Sequence, residues 1–558
     1  MKRFFLFSLA IPFMAVTLLS LTGCGLKSPL RIYQVDPLVK VLYCDSVFPT
    51  TVDTLRVARG ENAVLQLVLS SDVDIDSLSA EETCQALGEA HIGWVHDVYN
   101  TNVSAGASDL ISTAENYYPD PILDDCEESV KAGGHRTLWV DIDVPRDAKP
   151  GLYKGTVSVR GMKTDGKSVK ARHRFYVQIY PVTLPEKQQL KVVNWYTHST
   201  FNYLSMDGKG VDPHSDYYYQ LLQLIAEKGA EYGQNCWLIG VKPECVLNAD
   251  STDIVLDYTC FDRTVETLIE HGNLQTFCAH HIGGRFEGAA WSDGMCFGIY
   301  TVVDKKIVYE HVPYDDPRLE PFINTFFGQF EAHLREKGWL DICYQHIADE
   351  PDRMGTASQQ SWSAVAAMIK RAAPGIRTID ASFEIIDNQD VSVVQLAENI
   401  ATMPPVPEGS ERWMYTCTGP QGNYANRFIQ QPLLKTRILH WINYRYNECG
   451  YLHYGLNWWS FSKDPLHDAT PSTDWPGGDC YIIYPGKEKV YPSIRLSAMR
   501  DGIRDYDLLK MAEAIDADKA RAWCSSMILG PDSYDMDIHH FRTVRREILE
   551  FLSGEGEK

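Results

Sequence analysis

The chain has 558 residues, of which 44% are apolar; this predicts two or three domains of about 100–200 residues each and excludes a peptide hormone, a small finger or a disulfide scaffold. Its 52 basic residues against 74 acidic give a formal charge of −22 with no basic block, so nucleic acid, which needs a clustered positive footprint, is excluded as a partner. Aromatics make up 11%, with 13 Trp and 30 Tyr, which argues against disorder and supplies flat apolar faces suited to stacking on sugar rings.

At the N-terminus, Lys2 and Arg3 precede an apolar run from Phe4 to Leu21, which exits through the small residues Thr22, Gly23 and Cys24. That order predicts a secretory signal over residues 1–23 in preference to a spanning anchor. Leu21-Thr22-Gly23-Cys24 resembles a bacterial lipobox. The resemblance implies acylation of Cys24, residence in the bacterial cell envelope, attachment to the membrane by lipid alone, and a tether over residues 24–34. The fourteen cysteines run from Cys24 to Cys524 with no C-x-x-C pair, so neither a zinc ribbon nor a redox motif is expected, and few disulfides.

Residues 35–187 read as an N-terminal β-sandwich. Leu65, Leu67 and Leu69, then Leu138, Val140, Ile142 and Val144, then Phe175, Val177 and Ile179 recur at every second position, the period of half-buried strands. Arg59-Gly60, Lys149-Pro150-Gly151 and Thr164-Asp165-Gly166 separate the runs as turns, and Pro181 to Pro185 form a stiff exit. Residues 188–558 change rhythm. Strands are expected at Val192–Tyr196, Asn235–Ile239, Leu274–His280, Ile342–Ala348, Arg377–Ser382, Val391–Leu396, Arg412–Cys417 and Tyr451–Trp458. Helical spacing lies between several of them, at Tyr218, Leu221, Leu222, Ile225 and Ala226 and again at Trp362, Val365, Ala366 and Ile369. Eight alternating units predict a TIM-type (β/α)8 barrel, irregular because the links after strands five and six lack a clear helix, with closing helices from Ser493 to Phe551.

A barrel of this type displays its chemistry at the C-terminal strand ends. Strand four runs from Ile342 into Ala348-Asp349-Glu350-Pro351, where the proline ends the strand on two adjacent carboxylates. Like charges this close raise proton affinity, as a general acid at neutral pH requires; the plainer reading is a strand-terminal acid pair. Neighbouring residues point in different directions, so the two are poorly placed to straddle a glycosidic bond as acid and nucleophile. One physical solution is a nucleophile carried by the substrate: a 2-acetamido oxygen attacks the anomeric carbon, Glu350 protonates the leaving oxygen, and Asp349 steadies the acetamido N–H and the developing charge.

Several stretches carry a family resemblance. Ala348-Asp349-Glu350-Pro351, Trp413 to Cys417, Asn457 and Trp459 followed by Asp464-Pro465-Leu466, Trp475-Pro476-Gly477-Gly478-Asp479, Pro492 to Arg495, Asp501 to Tyr506, Ala58 to Glu61 and Leu138 to Asp141 look like glycoside hydrolase family 123. This resemblance implies a retaining exo-β-N-acetylgalactosaminidase with a β-sandwich and a barrel, Asp349 orienting the acetamido group and Glu350 as acid/base. The implied partner is a glycan or glycoconjugate ending in N-acetylhexosamine; no cofactor or metal is called for. His453-Tyr454-Gly455-Leu456 departs from the expected basic residue followed by aromatics, and Trp458 adds a bulky neighbour to Trp459.

Further candidates each carry two readings. Tyr415 is either a donor to the acetamido oxygen or a core tyrosine, Trp459 and Trp475 either a wall behind the sugar or packing, and Asp464 and Asp479 either acceptors of sugar hydroxyls or solvated loop acids. His280-His281 lacks the spacing of a metal motif, which leaves His280 as a sugar-contacting or structural residue. Two other functions are open: a non-catalytic glycan-binding lipoprotein, and a glycosidase whose nucleophile is a distant acid such as Asp380 or Asp464.

Overall fold

The structure is a computed structural model that describes residues 28–51, 54–84, 87–285, 294–353 and 355–554; the expected signal segment and Cys24 lie outside the described residues. A strand-rich N-terminal part comes first. One of its sheets takes Leu30–Val35, Asn62–Ser71, His135–Asp143 and Ala90–Tyr99 in that spatial order, with Tyr117–Leu123 also paired to Ala90–Tyr99. The other takes Leu55–Arg59, Ser168–Thr183, Gly151–Lys163, Ile75–Glu82 and Glu128–Val130. Leu65, Leu67, Leu69, Leu138, Val140 and Ile142 from the first sheet meet Val157, Val159, Phe175, Val177 and Ile179 from the second in one core, so the expected alternation marks the face between the sheets. The first sheet is buried on its other face as well, where Val64 and Trp139 join the core of the C-terminal part.

Two expectations about the boundaries are corrected. Residues 30–34, expected as tether, belong to the six-residue strand Leu30–Val35, which pairs antiparallel with Gln66–Ser71. The first sheet also recruits Ser462–Asp464 and Asp468–Pro471 from the far end of the chain, through Asp468 beside Tyr99. Strands of three and four residues joined by one exposed hairpin turn carry too weak a periodicity to disclose a strand added across domains.

The C-terminal part is built on eight parallel strands: β1 (Lys191–Asn194), β2 (Cys236–Ile239), β3 (Thr276–Ala279), β4 (Cys343–His346), β5 (Arg377–Ser382), β6 (Val391–Gln395), β7 (Glu411–Tyr415) and β8 (Gly450–His453). Hydrogen bonding runs β1-β8-β7-β6-β5-β4-β3-β2, a nearly closed barrel. Side chains complete the seam between β1 and β2: Asn235 Oδ1 accepts from Val192 N at 2.8 Å, and the Gln234 amide donates to Asn194 O at 3.1 Å. Val193, Cys236, Cys278, Tyr344, Ile379, Val393 and Trp413 fill the interior.

Helices Asp216–Glu231, Thr259–His271, Leu319–Lys337 and Thr356–Ala372 follow β1 to β4. The predicted apolar face of the first, Tyr218, Leu221, Leu222, Ile225 and Ala226, is buried, and Ser215 caps it by accepting from Tyr218 N. No α-helix follows β5 or β6, as the sequence there indicates. Leu433–Arg445 follows β7, and Ile494–Glu513, Ala517–Met527 and Ile538–Leu552 close the chain. Between β3 and β4 the chain makes an antiparallel excursion over Gly283–Arg285, Met295–Val303 and Lys306–Pro313. Among the described residues no helix is long and apolar enough to cross a membrane.

A buried ionic seam ties the two parts together. Arg495 donates to Asp120 at 2.7 and 2.9 Å, and Arg500 to Asp141 at 2.7 Å. Arg545 bridges Glu61 of the N-terminal part and Asp505, which also receives Arg437 at 2.8 and 3.1 Å.

Candidate active site

Strand β4 delivers Asp349 and Glu350 to the C-terminal mouth of the barrel. Glu350 holds φ 46°, the left-handed region that a side chain with Cβ avoids. Its amide donates to Ala381 O on β5 at 3.1 Å, and buried Pro351 follows. Strain of this kind persists where surrounding contacts over-determine the backbone, and it clusters at functional positions. The Glu350 side chain is 4% exposed. Oε1 accepts from Tyr415 Oη at 2.6 Å and Oε2 from Arg353 Nη1 at 2.9 Å. Tyr415, at the end of β7, is thus brought to the pair, but onto Glu350 and not into open space.

Asp349 is treated differently. Among the described residues no side chain donates a hydrogen bond to it. Burial, then the adjacent Glu350 charge, pushes its carboxyl up to about 7, against the pull of His281 and Arg285. At neutral pH one proton is therefore readily held by this pair of carboxylates.

Behind Asp349 lies a locked cluster. Asp380 on β5 is fully buried. Oδ1 accepts from His346 Nδ1 at 2.7 Å and faces His281 Nε2 at 3.2 Å; Oδ2 accepts from Ile347 N at 2.8 Å, Ala348 N at 3.0 Å and Trp362 Nε1 at 2.6 Å. Burial works to raise its proton affinity, but the hydrogen bonds from His281 and His346 outweigh it and hold the carboxyl at about 2. The two imidazoles stack at 4.4 Å, and the Trp195 edge packs on both at 5.3–5.4 Å. Asp380 thus fixes the strand end that carries Asp349 and has no free lone pair with which to attack a substrate. Three converging groups of this type could in principle ligate a metal, but Asp380 is already saturated by backbone and indole donors.

Other expected residues fall into two groups. His280 is half-buried at the end of β3, where burial and the Lys242 charge keep it neutral, with its pKa lowered to about 3; its neighbour His281 is the one that joins Asp380. Trp475 stands in a partly exposed aromatic wall, 5.1 Å from Phe461 and 6.1 Å from Tyr454, with Trp458 adjoining. Tyr454 donates to buried Asp479, whose carboxyl burial pushes up to about 7. Cys417, just beyond Tyr415, feels the charges of both Asp479 and Glu350, which sets this wall at the barrel mouth.

Trp459 and Asp464 do not join the site. Trp459 is fully buried, donates to Ile483 O at 2.8 Å and packs on Tyr203, so no face is left for a sugar. Asp464 is exposed at a hairpin turn, where it accepts from Leu466 N and pairs with His467. Both stand in a motif that reads as one unit in the sequence, and the 3-10 turn Trp459–Phe461 sends its members to opposite sides. Sequence reasoning missed Arg353, His346 and Tyr454. His346 was accessible in principle, since it shares the inward parity of Tyr344 on β4.

An acidic pair at the mouth of a parallel barrel, walled by aromatics, defines a glycoside hydrolase in outline. The sequence model of the glycoside hydrolase 123 catalytic domain matches residues 209–512, and that of the glycoside hydrolase 123 N-terminal domain matches residues 48–161. The chain belongs to glycoside hydrolase family 123 and is an enzyme of the glycoside hydrolase class. Its fold is similar to that of a family 123 glycoside hydrolase from Clostridium perfringens described for glycolipid glycan hydrolysis, at TM-score 0.70 and 16% identity, over 94% of this chain and 97% of that one. Two others align at scores too low to bear on function: a termite-gut GH10 xylanase with a bacterial Ig-like domain (TM-score 0.29, 7% identity, 82% and 100% covered) and a GH20 exo-β-N-acetylglucosaminidase from Vibrio harveyi (0.26, 10%, 88% and 99%). No curated protein gives a significant match.

Proposed function

We propose that this enzyme removes terminal β-linked N-acetylhexosamine, with N-acetylgalactosamine the preferred sugar, from glycan ends with retention of configuration, and that the substrate's own 2-acetamido oxygen is the nucleophile. The observation that carries this reading is the state of the alternative nucleophiles. Asp380 accepts four hydrogen bonds and faces the His281 imidazole, and Asp464 sits on an exposed hairpin, while the two carboxylates at the mouth are chain neighbours and cannot flank one bond.

In this mechanism the acetamido oxygen attacks the anomeric carbon as Glu350 gives its proton to the departing glycosidic oxygen. Asp349, having passed its proton to Glu350, accepts the acetamido N–H and offsets the positive charge of the cyclised intermediate. Water then opens that ring, and Glu350 takes the water's proton. Tyr415 donates to Glu350 in the resting site; transfer of that hydrogen bond to the acetamido oxygen frees Glu350 to carry its proton. Trp475 and Tyr454 provide an apolar wall for the ring, with His280 as a polar contact to hydroxyls, and fully buried Asp479 fixes Tyr454 from behind. Attachment to the cell envelope through acylated Cys24 belongs to the same reading, and Cys24→Ala is expected to release the protein from the membrane fraction.

A panel of aryl β-glycosides differing only at C2 and C4 tests the mechanism. The 2-acetamido sugars are expected to turn over, fastest with axial O4, and a thiazoline mimic of the intermediate to inhibit strongly. Comparable hydrolysis of 2-hydroxyl sugars would refute the proposal, since an enzyme nucleophile would then be doing the attack.

A further inference from the structure

Far from the barrel mouth, the N-terminal part gathers three side chains of different chemistry onto one point. His96 Nε2 lies 3.4 Å from Cys126 Sγ and 2.5 Å from Glu128 Oε1, and Cys126 Sγ lies 3.3 Å from the same Oε1. The three come from separate places. His96 sits where strand Ala90–Tyr99 slips register against Tyr117–Leu123, between Val95 and Asp97, and a register shift of this kind re-aims a side chain. Glu128 opens the short strand Glu128–Val130 of the opposite sheet, next to Leu78. Cys126 lies in the acidic crossover Asp124-Asp125-Cys126-Glu127-Glu128 that links them.

From this convergence we propose that Cys126, His96 and Glu128 form a structural zinc site that clips the two N-terminal sheets together. Thiolate, imidazole and carboxylate are the donor types zinc takes, at about 2.3, 2.0 and 2.0 Å. A tetrahedron with those radii has edges of about 3.5 Å to sulfur and about 3.3 Å between nitrogen and oxygen. The two sulfur edges are already at that length, and the His96–Glu128 edge opens by less than about 1 Å as its hydrogen bond is replaced by the ion. Glu128 Oε2 is held separately by Arg136 Nε at 3.1 Å, which leaves Oε1 for the metal and fixes the carboxylate, as second partners of ligands do elsewhere.

Glu128 is 4% exposed and His96 about one-third exposed; a surface cavity of about 400 Å³ lined by His96, Asp97, His135 and Arg136 opens beside the cluster at His96. Binding forms bonds from sulfur, nitrogen and oxygen to zinc; it releases the Cys126 thiol proton and the proton shared by His96 and Glu128 to water, with no change of oxidation state. Because binding releases a thiol proton, uptake weakens as pH falls. No sequence motif announces the site, because His96 and Cys126 stand far apart in the chain with no repeated spacing.

Cobalt(II) titration of the full chain under reducing conditions is the test, read by the thiolate-to-cobalt charge-transfer band and the strong visible bands of four-coordinate cobalt. One equivalent is expected, displaced by zinc, with zinc raising Tm. Cys126→Ser should abolish the charge-transfer band, and His96→Gln should raise the half-saturating concentration at least about tenfold while circular dichroism stays unchanged; Cys44→Ser, at an exposed cysteine, should alter neither. Absence of the band at saturating cobalt, its survival in Cys126→Ser, or its loss instead in Cys260→Ser, near a second His214–Glu244 cluster, would overturn the assignment.

Discussion

Two sets of buried carboxylates in this protein are handled in opposite ways. In the seam between its parts, each acid is matched by arginine: Asp505 receives Arg437 and Arg545 together with the Trp441 indole, and these outweigh burial and hold its carboxyl at about 2. At the barrel mouth, half-buried Asp349 sits beside a second carboxylate with no arginine among the described residues bonded to it, and desolvation and that neighbouring charge push it up to about 7. The residue type is the same in both regions. The difference lies in compensation: a matched carboxylate is a fastener that does not titrate near neutrality, and an uncompensated one is a proton store whose cost the fold carries for chemistry. The enzyme's motifs sort the same way, since Glu61, Asp141, Arg495 and Asp505, all within stretches that carry the family resemblance, build the seam.

The largest effect should come from the acid. Glu350→Gln is expected to lower kcat on glycosides with poor leaving groups by about 10³-fold or more, and far less on activated aryl glycosides, which need little protonation. Asp349→Asn should slow both classes alike, by about 10²–10³-fold, while raising Tm at pH 8 because an uncompensated buried charge is removed. A lower Tm for Asp349→Asn would break the contrast between store and fastener.

Next in size, Asp505→Asn should destabilise the protein by about 3–5 kcal/mol, since it leaves Arg437 and Arg545 buried without their shared partner, yet leave kcat of the folded fraction unchanged. Denaturant unfolding alongside active-site titration measures both. A large fall in kcat per folded site would mean that the seam is coupled to the mouth.

Tyr415→Phe removes the hydroxyl that donates to Glu350 at rest and is expected to reduce kcat by about 10–100-fold. An unaltered kcat with only KM raised would assign Tyr415 to sugar binding alone.

The smallest effect per residue is the pH dependence of stability. Burial raises Asp349, Glu448, Asp479 and Asp507 to about 7, so each binds its proton more tightly folded than unfolded; their contribution is complete below the ordinary carboxylate value and declines as pH rises through 7. Asp380, Glu411 and Asp505, held at about 2, contribute above the ordinary value and lose it as pH falls toward 2. Thermal midpoints should therefore be highest at about pH 4–5 and decline toward pH 8. A flat profile from pH 5 to 8 would show that the mouth acids are compensated after all.

Local order was open to the sequence. Period-two alternation at Leu65–Leu69 and Leu138–Ile142 marks the face between the sheets, eight short apolar runs mark the barrel, and Asp349-Glu350-Pro351 marks where the chain leaves β4 at its mouth, because each of these signals is contained in a few consecutive residues and reflects the geometry of one element. Tertiary structure decided what depends on direction and on distant partners. Trp459 and Asp464 stand in one motif, yet the first is fully buried and the second exposed at a hairpin turn. His280 and His281 are neighbours, yet it is the second that reaches Asp380. Strand Asp468–Pro471 joins a sheet formed hundreds of residues earlier, and Asp380, which in sequence is only an acid on a strand, is disqualified as a nucleophile by donors from β4 and the helix that follows it. Residue type and spacing set which elements form and which chemistry is possible; the partners of each charge, and so its protonation and role, exist only once the chain has brought them together.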